Sequence, residues 1–169
     1  MNTKNNIIQR GAAIFIAASL FSSVYAADSG ALSHSDKKFV ENASKNGAKE
    51  IVISQDVLTK LSDPKIREYA QMVVTEHTAA NAELTTLAAK KGVTIPSLSP
   101  KTDRKWSEKT KDIDEDYVKA MVNDHEEAVE AFEKAAKSND PDIAAFAQKT
   151  LPSLQQHLAM AKDFKKTVK

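Results

Sequence analysis

The chain of 169 residues has no cysteine, which removes disulfides, thiolate metal ligands and cysteine nucleophiles from consideration whatever the redox compartment. Its four glycines are too few for phosphate-cradling loops of the usual kinds, and no Gly-x-Ser-x-Gly elbow occurs. Neither sign of charge prevails: 24 Lys and Arg stand against 23 Asp and Glu, so no broad basic surface for nucleic acid is expected. Beyond the amino terminus, nothing approaches the roughly 18 unbroken apolar residues of a membrane span. Without covalent staples the core alone must hold the fold, and a chain of this length buries enough surface to do so.

The amino terminus has the pattern of an export address. Lys4 and Arg10 form a basic region, 11–21 an apolar run, and Val24-Tyr25-Ala26 a small-residue cleavage signal. We expect residues 1–26 to be a signal peptide removed after Ala26 and the mature protein to be periplasmic or secreted, with no membrane span after cleavage. Loss of Lys4 and Arg10 leaves 22 of the 24 basic side chains against the same 23 acids. A flexible leader over 27–35 and one helical domain over 36–166 follow.

Helical spacing runs throughout that domain. Phe39, Val40, Ala43, Gly47, Glu50, Ser54, Val57 and Leu61 recur at threes and fours and predict a first helix over 36–61. Ile66, Ala70, Val73, His77, Ala80, Leu84 and Leu87 form a second stripe, stopped at Gly92. A third helix starts near Asp114 and carries Tyr117, Met121, His125, Ala128, Phe132 and Ala135; a fourth carries Ile143, Ala147, Thr150, Leu154, His157, Ala161 and Phe164. Pro152 lies inside the fourth and is expected to kink it.

One helix opening is written twice. SDPKIREYAQ (62–71) returns as NDPDIAAFAQ (139–148), each with an Asp suited to cap a helix and a Pro suited to its first position. Each Asp-Pro step reads as the tight turn of a helix hairpin, giving two hairpins that bury their stripes against each other. The broken stretch 93–113, with Pro96, Pro100 and Trp106, joins them. About 20 extended residues reach some 65 Å, whereas a 25-residue helix is about 38 Å long, so a crossover along the whole bundle is within reach. The prediction is an all-α, ferritin-like four-helix bundle, with simple up-down-up-down connection as the alternative.

The stripes are interrupted by ligand-type side chains. His77, His125 and His157 occupy inward positions on three helices and Glu50 on the fourth; if a core stripe takes about three of seven positions, three histidines fall there by chance roughly 8% of the time. Counted along the helices at about 1.5 Å per residue, the four lie within about 10 Å in depth. Three imidazoles and a carboxylate suit a transition metal ion: zinc, iron, manganese or copper. Met121 and Met160, one turn from His125 and His157, would soften such a site, although methionine is also an ordinary core filler. Glu76 and Asp124, each just before a histidine, are candidate outer acceptors or simply solvated acids.

The stretches NGAKE (46–50), MVVTEHT (72–78) with NAEL (81–84), YVKAMVNDH (117–125) and TLPSLQQHLAM (150–160) together resemble a family of secreted bacterial proteins, catalogued as a domain of unknown function and sometimes labelled an outer-membrane protein. The resemblance extends from Phe39 to Ala161 and implies a ferritin-like bundle in which Glu50, His77, His125 and His157 are the matching positions. It implies no activity. The residues three before His77, His125 and His157 are Val74, Val122 and Leu154, so the Glu-x-x-His signature of di-iron oxidases is absent and an enzymatic role is disfavoured. Two readings stand: a metal-binding bundle using the four residues, or a structural bundle of the cell envelope with a metal-free Glu/His network and a protein partner at the crossover around Trp106.

Overall fold

A computed structural model describes residues 31–95 and 112–168; the expected signal peptide, most of the crossover and Trp106 lie outside them. The described residues form four helices, α1 (His34–Val57), α2 (Pro64–Lys90), α3 (Ile113–Ala135) and α4 (Pro141–Lys165). No helix among them is long and apolar enough to cross a membrane.

The repeated Asp-Pro step acts as its chemistry dictates. Asp63 accepts a hydrogen bond from the Lys65 amide and Asp140 from the amides of Asp142 and Ile143, with Pro64 and Pro141 following each cap. The equivalent residues Ile66 and Ile143, like Ala70 and Ala147, are fully buried. Gly92 ends α2 at φ 66°, with the Gly92 and Val93 amides donating to the Ala89 and Ala88 carbonyls in a Schellman closure. The first helix opens earlier than its hydrophobic spacing suggests: Ser33 accepts from the Asp36 amide, so His34 belongs to α1 rather than to the leader, and Leu32 is buried. It also closes earlier, at Val57, with Leu61 buried in the turn beyond. Pro152 lies within α4, where its missing N–H leaves the Gln148 carbonyl without a helical donor.

Polar contacts at the two ends define the topology. At one end, Asp114 in the first turn of α3 reaches the α1–α2 turn, accepting from the Ser62 amide (2.9 Å), the Ser62 hydroxyl (2.6 Å) and the Asp63 amide (2.9 Å). At the other, Lys91 after α2 pairs with Asp140 (2.6 Å) and Asp142 (2.8 Å) at the start of α4, and the Ser138 hydroxyl donates to Asp36 (2.8 Å). Hence α2 ends at one end of the bundle and α3 begins at the other. Helices α1 and α2 pack as one antiparallel hairpin and α3 and α4 as another, with thinner seams between α1 and α3 and between α2 and α4. This is the ferritin-like arrangement rather than a simple up-and-down bundle.

The interior is two apolar clusters with a polar layer between them. One contains Ile53, Val57, Ile66, Tyr69, Tyr117 and Met121; the other contains Val40, Leu84, Phe132, Ile143, Phe146 and Leu154. Gly47 leaves room for the Asn81 side chain, which donates to the Ser44 carbonyl at 3.3 Å; a Cβ there would lie 2.6 Å from Asn81 Oδ1.

Asp114 is only 6% exposed. Burial pushes its carboxyl up, but the Ser62 and Asp63 donors and nearby Arg67 outweigh this and hold it below the ordinary 3.8. Its contribution is therefore present above about pH 4 and lost as pH falls through the lowered value. Asp114→Ala should destabilise the protein by about 2–3 kcal/mol at neutral pH by stranding three donors, measured as a lower urea midpoint; an unchanged midpoint would contradict this role.

Candidate metal centre

Each helix sends one ligand-type side chain into the layer between the clusters. Glu50 is 2% exposed, His77 7%, His125 0% and His157 1%, so all four expected residues point inward and meet. One ring nitrogen from each histidine lies within 4.8 Å of the others. The rings of His77 and His157 are stacked at 5.4 Å, and His125 stands edge-on to both, at 5.4 and 5.3 Å. Glu50 Oε2 lies beside them, 3.3 Å from His77 Nδ1 and 3.7 Å from His125 Nε2.

Outer partners determine the tautomers. His125 Nδ1 lies 3.0 Å from the Met121 carbonyl; a carbonyl only accepts, so Nδ1 carries the hydrogen and Nε2 of the neutral ring carries a lone pair. His157 Nε2 lies 3.1 Å from Glu76 Oε2; the carboxylate accepts, leaving a lone pair on His157 Nδ1. The two lone-pair nitrogens, His125 Nε2 and His157 Nδ1, are 3.3 Å apart. Facing lone pairs repel unless a hydrogen-bond donor or a positive centre stands between them. For metal–nitrogen bonds of about 2.0–2.1 Å, the edge of a tetrahedron is about 3.3–3.4 Å, the separation seen here.

Burial sets the protonation of the ion-free layer. It pushes the Glu50 carboxyl up to about 8, reinforced by Asp124 and opposed by Lys49. Burial, followed by His125 and His157, brings His77 down to about 3. Burial and His157 bring His125 down to about 4 against the Met121 hydrogen bond, and burial lowers His157 against the pull of Glu76. At neutral pH the layer is three neutral imidazoles and a carboxylic acid. Its hydrogen bonding is incomplete: Glu50 Oε2 and His77 Nε2 are buried without a partner among the described residues, as is the hydroxyl of Tyr69, whose ring meets that of His157 edge-on at 6.2 Å.

Of the two outer acids, one is an acceptor for a histidine and one is not. Glu76 serves His157 across the α2–α4 seam, not its neighbour His77; one residue off the inward stripe, it faces the adjacent helix. Asp124 pairs with Lys49 at 3.0 Å across the α1–α3 seam. Met121 supplies a carbonyl to His125, while its side chain belongs to the apolar cluster, against which Met160 also packs. A groove of about 1020 Å³ runs from Glu50, His77 and His157 towards the end of the bundle marked by Ser33 and Ser138; no spacing rule indicated it.

A family described as Domain of unknown function (DUF4142) matches residues 22–164. No curated protein matches the sequence. Among solved structures, a DUF305 fragment from Deinococcus radiodurans aligns with a TM-score of 0.69 at 10% identity, over 82% of this chain and 99% of that one. CopM in the Cu(II)-bound form aligns at 0.66 and 13% identity, over 78% and 96%. A two-domain protein from Anabaena variabilis, containing DJ-1/ThiJ/PfpI-like and ferritin-like domains, aligns at 0.61 and 16% identity, over 78% of this chain and 36% of that longer one. At such identities the likeness establishes the fold: an all-α, ferritin-like four-helix bundle.

The perturbed groups make ion-free stability depend on pH in both directions. Below the ordinary 6.5 the unfolded chain takes protons that native His77 and His125 refuse until about 3–4, His157 also being lowered, so stability falls with acidification. Above the ordinary 4.5 the unfolded chain releases a proton that native Glu50 keeps until about 8, so this group lowers stability as pH rises. Three imidazoles outweigh one carboxyl up to pH 6.5, placing the optimum near there. The alkaline limb should fall by about 1.4 kcal/mol per pH unit and disappear in Glu50→Gln. Urea midpoints of chelator-treated protein between pH 4 and 9 measure both limbs, and an alkaline limb that survives the substitution would refute the assignment.

Proposed function

The chain belongs to the DUF4142 family of domains of unknown function, and from that premise we propose that it is an exported bundle that binds one transition metal ion, holding or buffering it. His125 Nε2, His157 Nδ1 and one nitrogen of His77 are the nitrogen ligands, and Glu50 is the anionic partner. One observation carries this reading: two buried imidazole lone pairs held face to face at 3.3 Å by hydrogen bonds that their opposite nitrogens make to Met121 and Glu76. Such outer partners orient ligands and make them more basic.

A metal-free network accounts for the layer less well. It would have to satisfy Glu50 Oε2 and His77 Nε2, neither of which makes a hydrogen bond among the described residues, and a partly satisfied buried network is worse than an apolar core. An ion takes up the lone pairs and lets Glu50 ionise. Three nitrogens and one oxygen fit zinc, copper, iron or manganese, with copper(II) tightest by the general affinity order. CopM, of similar fold, was captured in a Cu(II)-bound form, which supports trying copper first. With one buried carboxylate and no Glu-x-x-His pair, the layer suits a single ion rather than a di-iron pair.

Protein prepared without a histidine tag should take up one copper(II) or zinc ion per chain. At ligand a hundredfold above the dissociation constant, melting should rise by about 10 °C, and His125→Ala or His157→Ala should abolish both uptake and shift. Identical melting with and without each of the four metals would overturn the proposal. The signal-like pattern of residues 1–26 supports action in the periplasm or outside the cell; the native protein should begin at Ala27 by mass spectrometry, and recovery of an intact Met1 would contradict export by cleavage.

A further inference from the structure

The groove ends on the ion site rather than merely near it. Glu50, His77 and His157 line it, whereas His125 is not among its lining residues, so the layer has one closed side and one side open to the groove. Small side chains create the opening: Ala43 and Gly47 on α1, Ala80 on α2 and Ala128 on α3 border it. Farther out the walls are Phe39, Leu84, Phe132, Phe146 and Leu154, with polar residues of both signs at the mouth. From Glu50 to Ser33 the wall follows 17 residues of helix, about 25 Å. A volume of about 1020 Å³ far exceeds the roughly 30 Å³ of a water or hydroxide ligand and matches pockets that enclose molecules with an apolar body.

The chemistry at the inner end selects the head group. Held by His77, His125, His157 and Glu50, copper(II) or iron could accept one more ligand, and the groove would be the side from which that ligand enters. His77, whose buried Nε2 makes no hydrogen bond among the described residues, lines the same space. One buried carboxylate, Glu50, faces the two charges of a divalent ion, so an anionic oxygen donor completes the neutralisation in a low-dielectric interior. No lysine or arginine lies among the inner wall residues, which disfavours a phosphate group there; the lysines that border the groove, such as Lys38, Lys134 and Lys137, are exposed.

Resting on the ion site proposed above, we propose that this position takes an amphiphilic monocarboxylate, its oxygen on the ion and its apolar body along Phe39, Leu84, Phe132 and Phe146. The protein then binds an ion and a small organic acid together, each strengthening retention of the other.

Copper(II)-loaded protein titrated with octanoate, acetate and octanol, followed by the visible d–d band and by electron paramagnetic resonance, tests this. Octanoate should shift the spectrum at a concentration at least about tenfold below acetate, because its methylenes leave water, and octanol should leave the copper spectrum unchanged. Ala128→Phe, which fills the groove from α3, and Ala80→Leu, which fills it from α2, should each keep one copper per chain and lose the octanoate preference. Acetate as effective as octanoate, or an undiminished octanoate response in both copper-loaded variants, would overturn the groove assignment and leave the ion site standing. Protein that takes up none of copper, zinc, iron and manganese would overturn both.

Discussion

Two imidazole nitrogens face each other at 3.3 Å in the polar layer between the apolar clusters, and the rest of the bundle holds them there. The inward nitrogens of His125 and His157 cannot relieve each other by exchanging tautomers, because each opposite nitrogen is committed to an acceptor, the Met121 carbonyl in one ring and Glu76 in the other. A proton between them would make a buried imidazolium, which desolvation opposes. An ion of suitable size removes the repulsion without that cost, and it also gives the Glu50 carboxylate a counter-charge.

Rigid rods are needed to hold such an arrangement. The capped Asp-Pro starts establish where α2 and α4 begin, and the Asp114 and Lys91 contacts tie opposite ends of the bundle together. Apolar clusters above and below the layer keep the helices from sliding along one another. Displacing one rod by a single turn would carry its ligand about 5.4 Å out of the layer, so packing far from the histidines maintains the 3.3 Å separation.

Much of this was legible in the sequence. Capping depends on two or three adjacent residues, which is why Asp63-Pro64 and Asp140-Pro141 announced their helices, and inward stripes follow from a 3.6-residue period, which is why Glu50 and the three histidines could be read as sharing an interior. Relations between helices were harder to read. The pairing of Glu76 with His157 rather than His77 depends on which seam α2 presents to α4, and the pairing of Asp124 with Lys49 on which seam faces α1; neither is written in local spacing. Ser33 opened the first helix before its apolar stripe began, because a cap needs only a hydroxyl and a free amide. The groove escaped because an alanine on a stripe reads as core, whereas a void depends on which small residues from different helices come together.

The distribution of ligands over the chain gives the layer a mechanical consequence. Glu50 and His77 belong to the first hairpin, His125 and His157 to the second, and the packing between hairpins is thinner than the packing within them. Well-packed apolar residues at these four positions would suit a bundle that had only to be stable, since buried polar groups are often replaced by hydrophobic ones at no loss. Here the polar layer and the adjoining groove fall on the seam where the fold has least packing to spare. An ion bound at that point would join the two hairpins directly, so its binding energy would act on the thinnest packing of the molecule.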